Sequence, residues 1–225
     1  IRVIREATVD LDDLPDLDTS RLIYGGQSQG ALVGAMAAGV ETEIAAYALN
    51  GIGGYLSITV VERKDPVDIN QQLTFLLGLD KALDRFHPVV ALAQLGSDVT
   101  DPLSYAQRWR GWTEHPGGNN ILLINGRNDT TTPTRSVNSI TIAGDVTPVD
   151  QGGWDVDTFD LWDVEAQSLP ISGNTSAVNG DKLTIATILD AKEGHYTIYN
   201  NEWARQLAVS FWTTGATSVP EIAEP

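Results

Sequence analysis

The stretch Arg21-Leu22-Ile23-Tyr24-Gly25-Gly26-Gln27-Ser28-Gln29-Gly30, continued by the small-residue run Ala31 to Val40, decides how this chain folds. A short apolar run enters a glycine-rich turn, and small residues at helical spacing leave it. That order reads as strand, sharp turn and closely packed helix. Within it, Gly26-Gln27-Ser28-Gln29-Gly30 matches G-x-S-x-G, a turn that lifts a serine hydroxyl above the end of a sheet. With 21 glycines and 12 serines in 225 residues, about 0.1 such matches arise by chance, so the motif alone decides little. Its context carries the weight.

Working outward, Glu43 to Asn50 is a second apolar strand, closed by Gly51-Ile52-Gly53-Gly54, which reads as a close backbone approach. Asn120 to Asn125 is a third and Lys182 to Asp190 a fourth. Helical patterns lie around Asp68 to Phe86, Pro88 to Leu95, Thr134 to Ile142 and Glu202 to Thr214. Continuous apolar strands alternating with helices indicate a parallel sheet covered on both faces, so the class is α/β. The chain reads as one domain over residues 1–225. It carries two long excursions: about 55–118, expected to be a helical cap, and about 143–181, rich in Asp, Gly, Thr and Ser. A helix-compatible opening, Ile1 onward, should stop at Pro15.

A serine hydroxyl needs a histidine to take its proton, and that histidine needs a carboxylate to set its tautomer. Asp129 sits in the loop after the third strand, within Gly126-Arg127-Asn128-Asp129-Thr130-Thr131-Thr132-Pro133. His195 follows the fourth strand, within Lys192-Glu193-Gly194-His195-Tyr196. The chain order Ser28, Asp129, His195 is that of a hydrolase triad on an α/β sheet. Of the other two histidines, His87 precedes Pro88 and suits a helix end, with lining of a substrate pocket as its alternative; His115 precedes Pro116 in a loop. Asp155, Asp157, Asp160 and Asp163 compete with Asp129 but read better as a solvated acidic loop. Trp109 and Trp112 suit core or cap packing, with an acyl-binding cleft as the alternative.

With serine elbow, acid loop and Gly-His loop in this order, the chain from about Asp16 to Thr214 resembles the α/β-hydrolase superfamily, and within it the bacterial lipase and esterase-like members. The resemblance implies Ser28 as nucleophile, His195 as general base and acid, Asp129 as the orienting carboxylate and the Gln29 backbone N–H as one oxyanion donor. It implies hydrolysis of carboxylic esters with no metal or organic cofactor; lipids, short acyl esters and insoluble polyesters are all open as substrates. In that family several strands precede the elbow, and a loop among them gives the second oxyanion N–H, whereas here only 27 residues stand before Ser28. The chain therefore reads as N-terminally truncated, either the C-terminal piece of something longer or a natural minimal form, with the elbow strand left as a sheet edge for a homodimer or a swapped N-terminal segment to cover. A non-catalytic hydrolase-like domain and a peptidase of the same fold are the competing readings.

Composition narrows the partners. Thirty acidic against fourteen basic residues leave a net charge of −16, which repels polyanions and argues against nucleic acid. The absence of cysteine excludes disulfides, thiolate zinc sites and a cysteine nucleophile. The acidic runs Asp10 to Asp18 and Trp154 to Glu165 offer oxygen ligands but lack the spacing of a calcium-binding EF-hand loop. Ala31 to Leu49, broken by Glu41 and Glu43, is too interrupted for a membrane span. An extracellular or periplasmic habitat fits this balance.

Overall fold

The computed structural model describes residues 18, 20–150 and 164–224. The predicted opening helix before Pro15, the residues Asp155, Asp157, Asp160 and Asp163, and Trp154 and Trp162 lie outside them.

Strand β1 (Leu22–Gln27) leads into helix α1 (Gln29–Ala37), and β2 (Ile44–Asn50) follows. Between β2 and β3 (Asn120–Gly126) come helices α2 (Leu56–Glu62), α3 (Ile69–Leu76), α4 (Pro88–Ser97) and α5 (Leu103–Ala106). After β3 come α6 (Thr134–Ala143), the short strands β4 (Thr147–Pro148), β5 (Ile171–Ser172), β6 (Thr175–Ser176) and β7 (Lys182–Leu183), and then β8 (Ile185–Asp190). Helices α7 (Thr197–Asn200) and α8 (Glu202–Gly215) and strand β9 (Glu221–Ile222) complete the order.

The main sheet runs β1-β2-β3-β8-β4, with every neighbouring pair parallel. Residues of alternate parity face opposite sides, as the two-residue period of a strand requires. Tyr47, Leu49, Ile121, Leu123 and Ile185 pack under Ala31 and Ala35 of α1 and Ile140 of α6. Ala46, Ala48, Leu122, Ile124, Ala186 and Ile188 pack under Ala204, Leu207, Ala208 and Phe211 of α8. Apolar side chains on both faces of β2, β3 and β8 explain why these strands read as unbroken apolar runs. Strand β1 differs. Among the described residues it pairs with β2 alone and stands at the sheet's edge, leaving Ile23 46% exposed.

Two elements depart from the periodicity. The helix expected to run to Phe86 stops at Leu76, because Gly78 turns left-handed at φ 63° and ends it. The strand expected over 182–190 breaks at Thr184. That residue's N–H goes to Asn120 Oδ1 (2.9 Å) and its hydroxyl to Pro220 O (2.5 Å). The two residues before the break pair antiparallel with β6, and those after it join the main sheet. Among the described residues, no helix is long and apolar enough to cross a membrane.

Candidate active site

Ser28 stands between β1 and α1 with φ 53° and ψ −116°, a conformation that costs a non-glycine residue about 1–3 kcal/mol and persists only where its surroundings enforce it. Here the Ser28 N–H donates to Asn50 O (2.8 Å), and Ser28 O accepts from Leu32 N (3.0 Å). The hydroxyl caps no helix N–H. A Cβ on Gly26 would lie 2.7 Å from Gly30 O, so the first glycine of the motif is sterically required. Nothing lies within 4 Å of a Cβ on Gly30. The glycine that lets helix meet sheet is Gly34 instead, where a Cβ would fall 2.4 Å from the Tyr24 ring and 2.7 Å from Leu49 Cδ2.

His195 and Asp129 form the second half of the site. His195 Nδ1 lies 2.7 Å from Asp129 Oδ2, with the acid's side chain fully buried and the histidine's 11% exposed. The other carboxylate oxygen, Oδ1, accepts from the N–H groups of Thr131 and Thr132, both at 2.7 Å. An ionised carboxylate can only accept, so the proton of this pair resides on Nδ1 and leaves Nε2 free to receive one. The acid and histidine loops are bound together by Asn128 N to Glu193 O (2.9 Å) and Asn128 Nδ2 to Lys192 O (2.9 Å). Gly126 permits this contact, since a Cβ there would meet Glu193 O at 2.3 Å.

Gly51 connects the two halves. It follows Asn50, whose carbonyl holds Ser28, and takes φ 66°; a Cβ on it would lie 2.9 Å from His195 Cε1. The imidazole therefore rests on bare backbone beside the elbow. Gly51→Ala imposes about 1–2 kcal/mol of left-handed strain and pushes the ring aside. Displacements of about 1 Å in such sites cost about 10²-fold in rate. We expect a drop of that order in kcat/KM, with a modest loss in denaturant midpoint.

Two residues that sequence reasoning did not single out hold His195 from behind. Gln27 and Asn50 face each other at the ends of β1 and β2. Gln27 Nε2 and Asn50 Nδ2 both donate to His195 O, at 2.9 and 3.0 Å, and Asn50 Nδ2 also donates to Gln27 Oε1. Their signal was a polar residue closing an otherwise apolar strand. Sequence reasoning also passed over the fully buried Asp101, which does not touch His195. Its carboxylate accepts from Tyr55 N (3.0 Å), Leu56 N (2.7 Å), Leu103 N (3.0 Å) and Gln94 Nε2 (2.8 Å), fixing the start of α2 over the elbow.

A pocket of about 50 Å3 opens at Ser28, lined among others by Leu32, Gly53, Leu56, Thr59, Arg63 and Ser136. Gln29 begins α1, where the first N–H groups have no intrahelical acceptor. The other candidates stand elsewhere. Trp109 is fully buried in the core, its Nε1 donating to Ala35 O (2.9 Å), and so lines no cleft. Trp112 packs edge-on against His115 at 4.8 Å and does not line this pocket. His87 is the N-cap of α4, with Nδ1 accepting from Val89 N (3.2 Å), and likewise stays outside it. At Gly53 the sequence GIGG makes a close approach, with a Cβ there 2.3 Å from Ser136 Oγ.

The architecture matches solved structures of acylaminoacyl peptidases. The uncomplexed enzyme of Pyrococcus horikoshii superposes with a TM-score of 0.52 at 13% identity, over 89% of this chain and 25% of that one. The chain has the α/β-hydrolase fold. An acylaminoacyl peptidase complexed with Z-Gly-Gly-Phe-chloromethyl ketone gives 0.50 at 13% identity, over 92% of this chain and 25% of that one. An esterase of Pyrococcus furiosus gives 0.41 at 14% identity, over 84% and 52%. This hydrolase-fold chain thus spans about a quarter of the peptidase chains it matches. No family model and no curated protein matches it.

Proposed function

We propose that this hydrolase-fold chain is a serine hydrolase that cleaves carboxylic esters through Ser28, His195 and Asp129. The observation that carries the reading is the buried Asp129 carboxylate at 2.7 Å from His195 Nδ1, on a ring seated against the residue that follows the elbow's own backbone partner. His195 Nε2 takes the Ser28 proton as Oγ attacks the acyl carbon. The Gln29 N–H, at the positive end of α1, donates to the oxyanion. As the tetrahedral adduct collapses, the imidazolium returns its proton to the departing alkoxide, leaving an acyl-enzyme. Water, deprotonated by His195, then releases the acid and restores Ser28.

An ester is favoured over an amide because it lacks the amide's ground-state resonance and expels an alkoxide, whereas an amide nitrogen must first be protonated to leave. Turnover of p-nitrophenyl acetate and butyrate is therefore expected, with the matching p-nitroanilides left intact. Two of the neighbouring structures are peptidases by name, which makes the anilide the informative contrast. Comparable rates on both would make the chain a peptidase; inertness toward both would favour a non-catalytic domain.

A further inference from the structure

Leu56 and Thr59 of helix α2 and Arg63, the extended residue that ends it, line the Ser28 pocket. Arg63 is the single ionisable side chain among the residues that line it. In a chain carrying thirty acidic residues, an arginine beside the elbow would ordinarily find a carboxylate. This one makes no ion pair among the described residues; its Nε donates to the backbone O of Asp65 (2.8 Å). The acids around it are engaged elsewhere. Glu62 pairs with Arg135 (2.7 Å), Asp68 with Lys64 (2.8 Å), and Asp65 accepts from the Thr130 hydroxyl (2.7 Å). Arg63 is half-buried, and its neighbourhood is held in place. Its N–H donates to Thr59 O (3.1 Å), and the next residue, Lys64, donates to Thr130 O (2.8 Å), in the loop that carries Asp129.

A guanidinium with donors to spare matches a carboxylate in geometry as well as charge. Ser28 and Arg63 line the same small pocket, so the spacer between reacting carbonyl and anion is short. We propose that Arg63 binds a carboxylate on the acyl chain, making the preferred substrate a half-ester of a short dicarboxylic acid. This rests on the serine-hydrolase reading above and names its substrate class. The net charge of −16 does not oppose it, because exposed charges are screened beyond about 8 Å at physiological salt, whereas the Arg63 contact is local.

The test compares monoethyl succinate with its neutral counterpart ethyl 4-oxopentanoate, by ethanol release, in the parent and in Arg63→Gln. The parent is expected to favour the succinate half-ester in kcat/KM. Arg63→Gln should lose about 10- to 100-fold on that ester, chiefly in KM, while ethyl 4-oxopentanoate stays within about threefold and thermal unfolding matches the parent's. Independently of turnover, free succinate should slow labelling of Ser28 by a neutral fluorophosphonate in the parent and have no effect in Arg63→Gln. Equal rates on the two esters in the parent, an equal loss on both in the variant, or labelling indifferent to succinate in the parent would overturn the role of Arg63 while leaving the hydrolase intact. Failure of Ser28 to label at all would overturn the hydrolase reading and this one with it.

Discussion

Replacing Ser28 with alanine is expected to lower ester turnover by about 10⁴-fold or more while shifting stability by no more than about 0.5 kcal/mol. The two halves of this expectation have separate causes. On the proposed mechanism activity falls because no other hydroxyl occupies the elbow, and without Oγ no acyl-enzyme can form. Stability holds because the substitution keeps the Cβ, so the strain at φ 53° is the same in both proteins. It also holds because the hydroxyl caps no helix N–H, and the bonds that enforce the turn, Ser28 N to Asn50 O and Leu32 N to Ser28 O, are all backbone. Steady-state kinetics and a urea titration check the two halves. A variant that stays within tenfold of the parent would mean that turnover does not pass through Ser28.

Asp129→Asn is the second substitution with a large expected effect, a loss of about 10⁴-fold in kcat. The asparagine can keep its oxygen on the N–H groups of Thr131 and Thr132, where Asp129 Oδ1 now accepts at 2.7 Å. Its amide nitrogen then faces His195 Nδ1, where Oδ2 stands at 2.7 Å. Two donors cannot share that contact, so the ring takes the tautomer with its proton on Nε2 and has nothing with which to accept from Ser28. The fold of the acid loop survives because its anchors are unchanged. Wild-type-like thermal unfolding with near-total loss of kcat is the expected pair of results. An active Asp129→Asn would place the orienting acid elsewhere.

How much of this was legible in the sequence follows from what each residue answers to. Ser28, Asp129 and His195 could be proposed as a group because such chemistry demands particular residue types just past apolar runs, and those runs are local; the structure adds the contact of His195 with Asp129. Gln27 and Asn50 were not, since their role depends on the β1–β2 register that sets them side by side and on a histidine 168 and 145 residues away. Asp101 escaped for the same reason, its four hydrogen bonds reaching residues of three different elements or turns. The glycines were half legible. The motif pointed to Gly26 and Gly30, but only the first meets backbone, while Gly34, outside the motif, is the residue the Tyr24 ring excludes from having a side chain. Trp109 shows the limit of proximity arguments. It precedes β3 by eleven residues yet faces α1 rather than the elbow. Arg63 was invisible because its lack of an ion pair among the described residues is recognised only once the acids near it, Glu62, Asp65 and Asp68, are placed.

The central claim is that Ser28 is a nucleophile activated by His195. The most direct measurement is intact-mass and peptide mapping after exposure of the folded protein to a fluorophosphonate at pH 8, beside its His195→Ala variant. The account predicts one adduct, on Ser28, forming readily in the parent and all but absent from the variant. No adduct on a demonstrably folded parent, or an adduct on Ser28 that forms as fast without His195, would contradict it.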